Sequence, residues 1–328
     1  MSKRAVSQSD AVPRGCPRRA EGNLTSVGDS LRPAGHGKNA ACGPFPLMGV
    51  FMSSQTLDAA NAEFWTEPCG STAARRLGVT DASRESLARF DAWYFATYPY
   101  LGDYIPFAEM RGRAVLEVGL GYGTLSQRMA EAGSLYTGLD IADGPVRLVN
   151  HRLRQNGLRG QAIKGSILAP PFPDRTFDYV VAIGCLHHTG DMQTAIDTCR
   201  RLLVPRGELI FMVYNACSYR RWLMAPLSTL RYRVREAAGL RGAVGAERAA
   251  QRRSYDANLA GEAAPHTDFV SIRSLAAMCS AFASFRASIE NVGDPSAYCR
   301  FLPSRSRLLS TRFAHRLGVD IYARATVA

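Results

Sequence analysis

From Ala114 onward the chain alternates short apolar runs with amphipathic stretches, and this alternation constrains the fold more than any other feature. The apolar runs read AVLEVGL, SLYTGLDI, QAIKGSI, FDYVVAIG and ELIFMVY, and the amphipathic stretches read TLSQRMAEAG, PVRLVNHRLRQNG and DMQTAIDTCRRLL. Strands that alternate with helices form a parallel sheet covered on both faces. Two more strand-like runs, SFRASIENV and GVDIYARA, follow near the C-terminus. We therefore predict an α/β fold with a doubly wound, mostly parallel seven-stranded sheet.

Composition divides the chain into three regions. Residues 1–60 are rich in Gly, Pro, Ser and Arg without helical or strand periodicity, which predicts a disordered N-terminal extension. Residues 61–111 are predicted to form a helical cap segment rich in aromatic side chains, with Ser83 as a helix N-cap. Residues 112–328 form the main domain. Within it, residues 216–264 interrupt the strand–helix rhythm and are predicted to be a helical insertion.

The net charge of +12 raises the question of a nucleic-acid partner. Much of the charge lies in residues 216–256, which hold nine basic and three acidic residues, and all but three of the chain's 40 basic residues are arginine. A codon bias toward arginine produces such a skew without selection for phosphate contacts. The strand–helix core is near neutral, so we expect no nucleic-acid partner.

Localisation follows from what the sequence lacks. No run approaches the roughly 20 apolar residues that a membrane span requires, and the basic N-terminus has no apolar stretch of a secretory signal behind it. The eight cysteines are scattered, without a C-x-x-C pair or a Cys/His cluster at metal-ligand spacing. We expect a cytoplasmic protein with reduced thiols and no bound metal.

A glycine-rich turn follows the first strand, with Gly119, Gly121 and Gly123 leading into a helix. Glycines there let a ligand approach main-chain N–H groups at a helix N-terminus. Dinucleotide-binding dehydrogenases share such a turn, but their third glycine falls where this chain has Thr124. Glu117, just before the turn, suits a cationic ligand better than a pyrophosphate.

Asp140 closes the second strand and is placed to accept hydrogen bonds from both ribose hydroxyls of an adenosine. Ile141 would then flank the adenine ring. The combination predicts a site for a nucleoside that carries a positive charge.

The segments VLEVGLGYGT, GLDI, GSILAPPFPDRTFDYVVAIGCLHHTGD and RLLVPRGELIF, in this order, resemble class I S-adenosylmethionine-dependent methyltransferases. More narrowly they are similar to the type 11 group, which acts mostly on small molecules. The resemblance implies a Rossmann-like methyltransferase fold, S-adenosyl-L-methionine as the cofactor and a small-molecule methyl acceptor. It is close over roughly residues 61–215 and looser over 265–328.

The resemblance also implies roles for individual residues. Glu117, Gly119 and Gly121 would line the methionine end of the cofactor, and Asp140 its ribose. Ser166 and Ile167 would stand beside the adenine, although many relatives have an acid where this chain has Ser166. The resemblance places Ile183 and Gly184 near the transferable methyl group.

His187 and His188 follow the fourth strand, where an α/β sheet opens toward its ligand crevice. Tandem histidines are common at this position in the resembled group. Either can take a proton from a hydroxyl nucleophile or orient the substrate, and we favour His188 as the catalytic one. Tyr214 and Asn215, at the end of the fifth strand, are candidates for substrate contact. His266 is a weaker candidate, because nothing in the sequence fixes its position.

Three alternatives remain open from the sequence. An RNA or DNA methyltransferase lacks the N/D-P-P-Y/F motif expected after the fourth strand, where Ile183-Gly184-Cys185-Leu186 stands instead. A non-catalytic scaffold that keeps the cofactor pocket is the second alternative. A nicotinamide-dependent oxidoreductase is the third.

Overall fold

The structure, a computed structural model, describes residues 54–246, 248–293 and 304–328. The strands in this part of the chain are β1 (Ala114–Val118), β2 (Leu135–Asp140), β3 (Gln161–Lys164), β4 (Phe177–Ile183), β5 (Leu203–Tyr214), β6 (Val244–Gly245), β7 (Asp268–Phe269), β8 (Ser284–Glu290) and β9 (Asp320–Thr326). The first seven helices are α1 (Ser54–Phe64), α2 (Ser71–Arg76), α3 (Arg84–Thr97), α4 (Leu101–Tyr104), α5 (Thr124–Glu131), α6 (Asp143–Gln155) and α7 (Met192–Leu202). The others are α8 (Tyr219–Met224), α9 (Pro226–Ala237), α10 (Ala249–Arg253), α11 (Ile272–Met278), α12 (Arg305–Leu309) and α13 (Arg312–Leu317), and single 3₁₀ turns span Phe107–Met110 and Leu186–His188.

Seven of these strands form one sheet in the order β3-β2-β1-β4-β5-β9-β8. Neighbours from β3 to β5 are parallel, and β9 runs antiparallel to both β5 and β8. The order along the chain reverses between β1 and β4, so the connections cross on opposite faces of the sheet. The predicted doubly wound, mostly parallel seven-stranded sheet is confirmed.

Apolar side chains cover both faces of this sheet. One face packs on α7 and α11 through a buried cluster that includes Ile196, Leu202 and Leu275. The other packs on α4, α5 and α6 through Leu101, Met129, Val149 and Leu153, among others. Because the central strands β1 and β4 are covered on both sides, their sequences are mostly apolar rather than alternating.

Residues 1–53 of the predicted disordered extension lie outside the described residues, but residues 54–60 correct its boundary. Helix α1 begins at Ser54, and Leu57 is buried so closely against Gly190 that a Cβ at Gly190 would lie 2.4 Å from Leu57 Cδ2. A little further along α1, Asn61 Nδ2 donates a hydrogen bond to the main-chain oxygen of His188 at 2.9 Å. The helix is held by contacts with residues remote in sequence, which local composition does not reveal.

Two further elements differ from the prediction. Strand β5 begins at Leu203, earlier than the apolar run ELIFMVY that the sequence indicates as this strand. Arg206 accommodates the irregularity with φ 65°. The short antiparallel pair β6–β7 joins the insertion to the chain that follows it, and sequence periodicity over two residues cannot signal such a pairing.

A buried arginine connects the cap segment to the main domain. The Arg152 side chain is 1% exposed and pairs with Asp91 of α3. It also donates to Gln127 Oε1 at 3.0 Å and to the main-chain oxygen of Tyr122 at 2.8 Å. Asp91 in turn accepts a hydrogen bond from Thr124 Oγ1 at 2.6 Å. This network fixes α3 against α6 and against the glycine turn.

Candidate functional site

A cavity of about 800 Å³ opens at the carboxyl ends of β1 and β4, where the strand order reverses. Crevices at this position are the usual ligand sites of open α/β sheets, and the volume is within the range of small-molecule pockets. Eleven of the residues predicted from the sequence line it: Glu117, Gly119, Gly121, Asp140, Ile141, Ser166, Ile167, Ile183, Gly184, His188 and Tyr214.

The glycine turn has the backbone conformation that glycine alone adopts readily. Gly119 has φ 79° and Gly121 has φ 49°. A Cβ at Gly119 would lie 2.5 Å from the Cβ of Cys185, so the turn packs directly on the segment after β4. A Cβ at Gly121 would meet only the main-chain oxygen of Cys69, at 3.9 Å. At Gly121 a side chain would thus occupy the cavity itself, where a ligand is expected.

Asp140 is buried at the end of β2 and shapes the turn as well as the cavity wall. Its Oδ2 accepts a hydrogen bond from the Leu120 N–H at 2.8 Å, and its Oδ1 accepts one from the Ala142 N–H at 2.9 Å. Burial raises the pKa of Asp140 to about 6, although these backbone hydrogen bonds oppose the rise. A carboxylate offers about four acceptor positions, so each oxygen keeps one for a ligand hydroxyl.

Glu117 lies on the same wall and is 3% exposed. The hydroxyls of Ser126 and Tyr136 both donate to its Oε2, which leaves Oε1 for a ligand. Burial raises the pKa of Glu117 to about 7, and the two hydrogen bonds oppose the rise. A cation against Oε1 would favour the ionised form.

Another part of the lining is less polar. It includes Ile141, Ile167, Gly184 and Ser166, whose Oγ accepts a hydrogen bond from the Leu168 N–H at 3.3 Å. Apolar side chains with a hydroxyl among them suit a planar heterocycle such as adenine. Together these walls can hold a charged nucleoside, which is the fit expected of S-adenosylmethionine.

His188 has a defined orientation at the cavity wall. Its Nδ1 lies 2.6 Å from the main-chain oxygen of His266, and because a carbonyl only accepts, Nδ1 carries the proton. Its Nε2 faces Asp256 Oδ2 at 3.6 Å. Asp256 also accepts from the Tyr214 hydroxyl at 3.0 Å, and burial raises the pKa of Asp256. A proton on Nε2 would therefore be stabilised by a carboxylate held in place from its other side.

His187 differs from His188 in its surroundings. It is fully buried, it does not line the cavity, and neither ring nitrogen has a hydrogen-bond partner in the described chain. Burial lowers the pKa of His187 well below its usual value, so the ring is neutral. A ring that does not reach the cavity cannot contact the substrate, so this location argues against the predicted catalytic role of His187.

The three side chains His187, His188 and Asp256 also form a possible metal-ligand set. One ligand atom from each lies within 4.8 Å of the others. Two imidazoles and one carboxylate are a common donor set for divalent transition metals. The scattered cysteines predict no bound metal, but they do not bear on this cluster. Its third member, Asp256, comes from the insertion and could not be paired with the histidines from the sequence.

Two further candidates are placed differently from expectation. Asn215 does not line the cavity: its Nδ2 donates to the Gly318 oxygen at 2.8 Å and its Oδ1 accepts from the Cys217 N–H at 2.9 Å, so it stabilises the end of β5. His266 contributes its main-chain oxygen rather than its ring. Tyr214 does line the cavity, as expected.

Aromatic side chains also line the cavity, most of them from the cap segment, with Tyr255 from the insertion, Tyr122 from the glycine turn and Tyr322 from β9. These residues are Phe64, Trp65, Phe90, Trp93, Tyr94, Tyr98, Tyr122, Tyr255 and Tyr322. Trp65 packs on His188 with ring centroids 4.9 Å apart, and Phe90 stacks on Tyr122 at 4.2 Å. Arg220 adds a cation, which lies over the ring of Tyr255. The aromatic residues between 90 and 107 therefore have two locations. Some line the cavity, whereas Tyr100 and Tyr104 pack against the hydrophobic core.

Sequence reasoning missed Asp256, Trp65 and Arg220. Asp256 and Arg220 lie within the insertion, where no periodicity or motif marks them. Trp65 is the only one with a usable signal, since it lies in the segment already predicted to cap the domain.

Comparison with known proteins finds a family model that matches part of the chain. Residues 116–211 match the family model described as a methyltransferase domain. Two curated relatives are named ubiquinone biosynthesis O-methyltransferase. The protein from Pseudomonas putida (strain GB-1) is 32% identical over 110 residues, which cover 33% of this chain and 47% of that protein. The one from Klebsiella pneumoniae subsp. pneumoniae is 31% identical over 116 residues, covering 35% and 47%. The chain spans about half the length of these relatives.

Solved structures with a similar arrangement include a SAM-dependent methyltransferase from Methanosarcina mazei, with a TM-score of 0.45 and 19% identity over 70% of this chain and 97% of that one. Another is a SAM-dependent methyltransferase from Aquifex aeolicus, with a TM-score of 0.40 and 12% identity over 70% of this chain and 94% of that one.

No helix in the described part of the chain is long and apolar enough to cross a membrane.

Proposed function

We propose, from the premise that residues 116–211 form a methyltransferase domain, that this chain methylates a hydroxyl group of a small molecule with S-adenosylmethionine as donor. The observation that carries the proposal is the convergence of a nucleoside site and a histidine–carboxylate pair on one cavity. The choice of oxygen as the acceptor atom is supported by the relatives named O-methyltransferase.

The residues of β1, β2 and their following turns would hold the cofactor. Asp140 would accept from the ribose hydroxyls, Glu117 would face the amino group of the methionine part, and Gly121 leaves room for the ligand beside its backbone. Ile141 and Ser166 would enclose the adenine. When bound, S-adenosylmethionine supplies a methyl group that its sulfonium makes electrophilic, so the protein has to position the acceptor and exclude water.

His188 would take the proton that the acceptor hydroxyl loses. Nδ1 already carries a proton directed at the His266 oxygen, so the free lone pair is on Nε2. As Nε2 binds the proton, the ring becomes an imidazolium, and the Asp256 carboxylate beside it stabilises the charge. Tyr214 keeps that carboxylate in place. His187 would serve as packing behind this pair.

The division of the chain would follow these roles. Residues 61–111 would act as a cap and residues 216–264 as an insertion that supplies Asp256, while residues 112–328 as a whole make up the methyltransferase domain. We place the activity in the cytoplasm. In support, the cysteines of the described chain (Cys69, Cys185, Cys199, Cys217 and Cys279) are all free thiols.

Calorimetry and isotope labelling test the proposal together. We expect the purified protein to bind S-adenosylmethionine and its demethylated product but not NAD, which would indicate an oxidoreductase. Incubation of a metabolite extract with methyl-labelled donor should produce a labelled small molecule. Binding without any turnover would indicate a non-catalytic scaffold, and labelling of added RNA or DNA alone would indicate a nucleic-acid methyltransferase.

The Asp140→Ala variant should bind S-adenosylmethionine more weakly by about 1–3 kcal/mol, because the ribose hydroxyls lose their acceptor. The measurement is the Kd by titration calorimetry, with Asp103→Ala, an exposed carboxylate on α4, as the control. An unchanged Kd in Asp140→Ala would remove this residue from the site.

The same residue predicts a pH dependence. With a pKa of about 6, Asp140 is ionised at pH 8 and protonated at pH 5, and protonation converts one of its oxygens from acceptor to donor. Affinity for S-adenosylmethionine should therefore fall as the pH is lowered through 6. Glu117, with a pKa of about 7, adds to the fall. In Asp140→Asn only the part of the pH dependence that is due to Glu117 should persist. An identical pH profile of the affinity in variant and wild type would contradict the assignment of Asp140 to the ribose.

A further inference from the structure

Helix α9 is amphipathic in the reverse of the usual sense. A helix on the surface of a globular protein normally packs its apolar stripe on the core and turns polar residues to water. In α9 the exposed stripe consists of Leu227, Leu230 and Val234, which are 76%, 51% and 61% exposed. Their spacing of three and four residues puts them on one face of the helix.

The opposite face of α9 is polar and buried. Tyr232 donates a hydrogen bond to the Gly242 oxygen at 3.0 Å and accepts one from the Ser271 N–H at 2.9 Å. Glu236 accepts from the hydroxyls of Ser271 and Ser274. These hydrogen bonds determine how α9 is rotated about its axis, so the outward direction of the leucines is not adjustable without breaking them.

The apolar surface continues beyond α9. On α8, Leu223 is 66% exposed, Met224 41% and Trp222 36%, and Leu240 after α9 is 61% exposed. An apolar surface of this extent on one side of a domain marks an interaction site. Trp222 is of the residue type that favours the boundary between water and hydrocarbon.

Exposed arginines surround this surface. Arg231 and Arg235 lie on one flank of the α9 stripe and Arg233 on the other, and Arg241 follows Leu240. Residues 216–256 carry nine basic and three acidic side chains, and Glu236, one of the acids, is buried on the inner face. The partner must therefore offer both an apolar surface and negative charge.

We propose that α8 and α9 bind the surface of an anionic lipid bilayer, with the leucine stripe inserted among the acyl chains and the arginines against the headgroups. A helix with an apolar face flanked by arginine lies in the plane of such an interface rather than across it. A second copy of this chain is a poorer occupant, because a two-fold pairing of α9 would bring the arginines of the two copies together. The proposal does not depend on the proposed activity.

Vesicle flotation with the full chain tests the proposal. We expect binding to vesicles that contain phosphatidylglycerol, and binding to pure phosphatidylcholine vesicles that is at least tenfold weaker at low salt. The triple variant Leu227→Gln, Leu230→Gln, Val234→Gln should lose at least tenfold in partitioning to the anionic vesicles. The double variant Arg231→Gln, Arg235→Gln should lose most of the preference for phosphatidylglycerol.

Two controls separate this surface from general stickiness. Leu135→Gln removes an apolar side chain that is 63% exposed elsewhere, and Arg84→Gln removes an exposed arginine from α3. Both should bind anionic vesicles as the wild type does, and thermal unfolding should show that all variants are folded. Equal binding by the wild type and the folded triple variant would overturn the proposal. So would a wild-type dimer in sedimentation equilibrium that the triple variant converts to monomer, since the occupant would then be a second copy.

Discussion

Replacing His188 by alanine is expected to lower kcat for methyl transfer by about 10²–10⁴-fold, which is the usual contribution of a positioned general base. The physical reason is that the variant loses the Nε2 lone pair that we propose takes the proton of the acceptor hydroxyl. The Kd for S-adenosylmethionine should change little, because the residues proposed to hold it lie on β1, β2 and their turns. The measurement is single-turnover transfer of the labelled methyl group beside calorimetry of the cofactor.

The partner of His188 sharpens this prediction. In Asp256→Asn the imidazolium loses its carboxylate, so kcat should fall as well, although by less than in His188→Ala. His315→Ala serves as the matched control, since His315 is half-exposed on α13 and does not line the cavity. A loss of activity that is restored by adding Zn²⁺, Mn²⁺ or Fe²⁺ to wild-type protein previously stripped with chelator would instead assign the cluster to a metal ion. Full activity of His188→Ala would remove the proton-accepting role.

The second large effect is on stability. Asp91→Ala is expected to lower the free energy of unfolding by about 3–5 kcal/mol, because it leaves the Arg152 guanidinium buried without its carboxylate. The hydroxyl of Thr124, at the start of α5, loses its acceptor in the same variant. The measurement is the denaturant midpoint and slope, with Asp103→Ala as the control for removing an exposed acid from the cap segment.

The location of Asp91 gives this prediction a functional consequence. Arg152 donates to the Tyr122 oxygen inside the glycine turn, so a displaced guanidinium would also disturb the cofactor side of the cavity. We expect weaker cofactor binding in Asp91→Ala than in Asp91→Asn, which retains an acceptor for Arg152. Equal stability of Asp91→Ala and Asp103→Ala would show that water reaches Arg152 and replaces the carboxylate.

The side of the cavity that we propose holds the cofactor was predictable because it is built from the ends of consecutive strands. Glu117 and Asp140 each lie at the end of a recognisable apolar run, and the carboxyl ends of parallel strands meet at one edge of a sheet. The glycines of the turn are equally local signals, since the positive φ of Gly119 and Gly121 requires that residue type. The family resemblance rests on these same segments.

The side of the cavity that we propose is catalytic was predictable only in part. The sequence places both His187 and His188 at the crevice and favours His188 as the catalytic one, and the 3₁₀ turn at Leu186–His188 brings only His188 to the cavity lining. Asp256 could not be foreseen, because its contact with His188 joins an insertion to a strand end far away in the chain. Contacts of that kind leave no trace in local periodicity.

The orientation of α9 was likewise not predictable from the sequence. An apolar spacing of three and four residues normally predicts a stripe packed on the core, and from the sequence the leucines would be assigned there. Tyr232 and Glu236 accept hydrogen bonds from Ser271, before α11, and from Ser274, within α11, and these bonds hold the helix with its apolar stripe outward. The sequence by itself determined the sheet, the glycine turn and the carboxylates at the strand ends, since each depends on residues adjacent in the chain. Only the tertiary structure decided which histidine faces the cavity, which acid supports it and which side of α9 meets the solvent, because those depend on packing between segments that the chain order does not bring together.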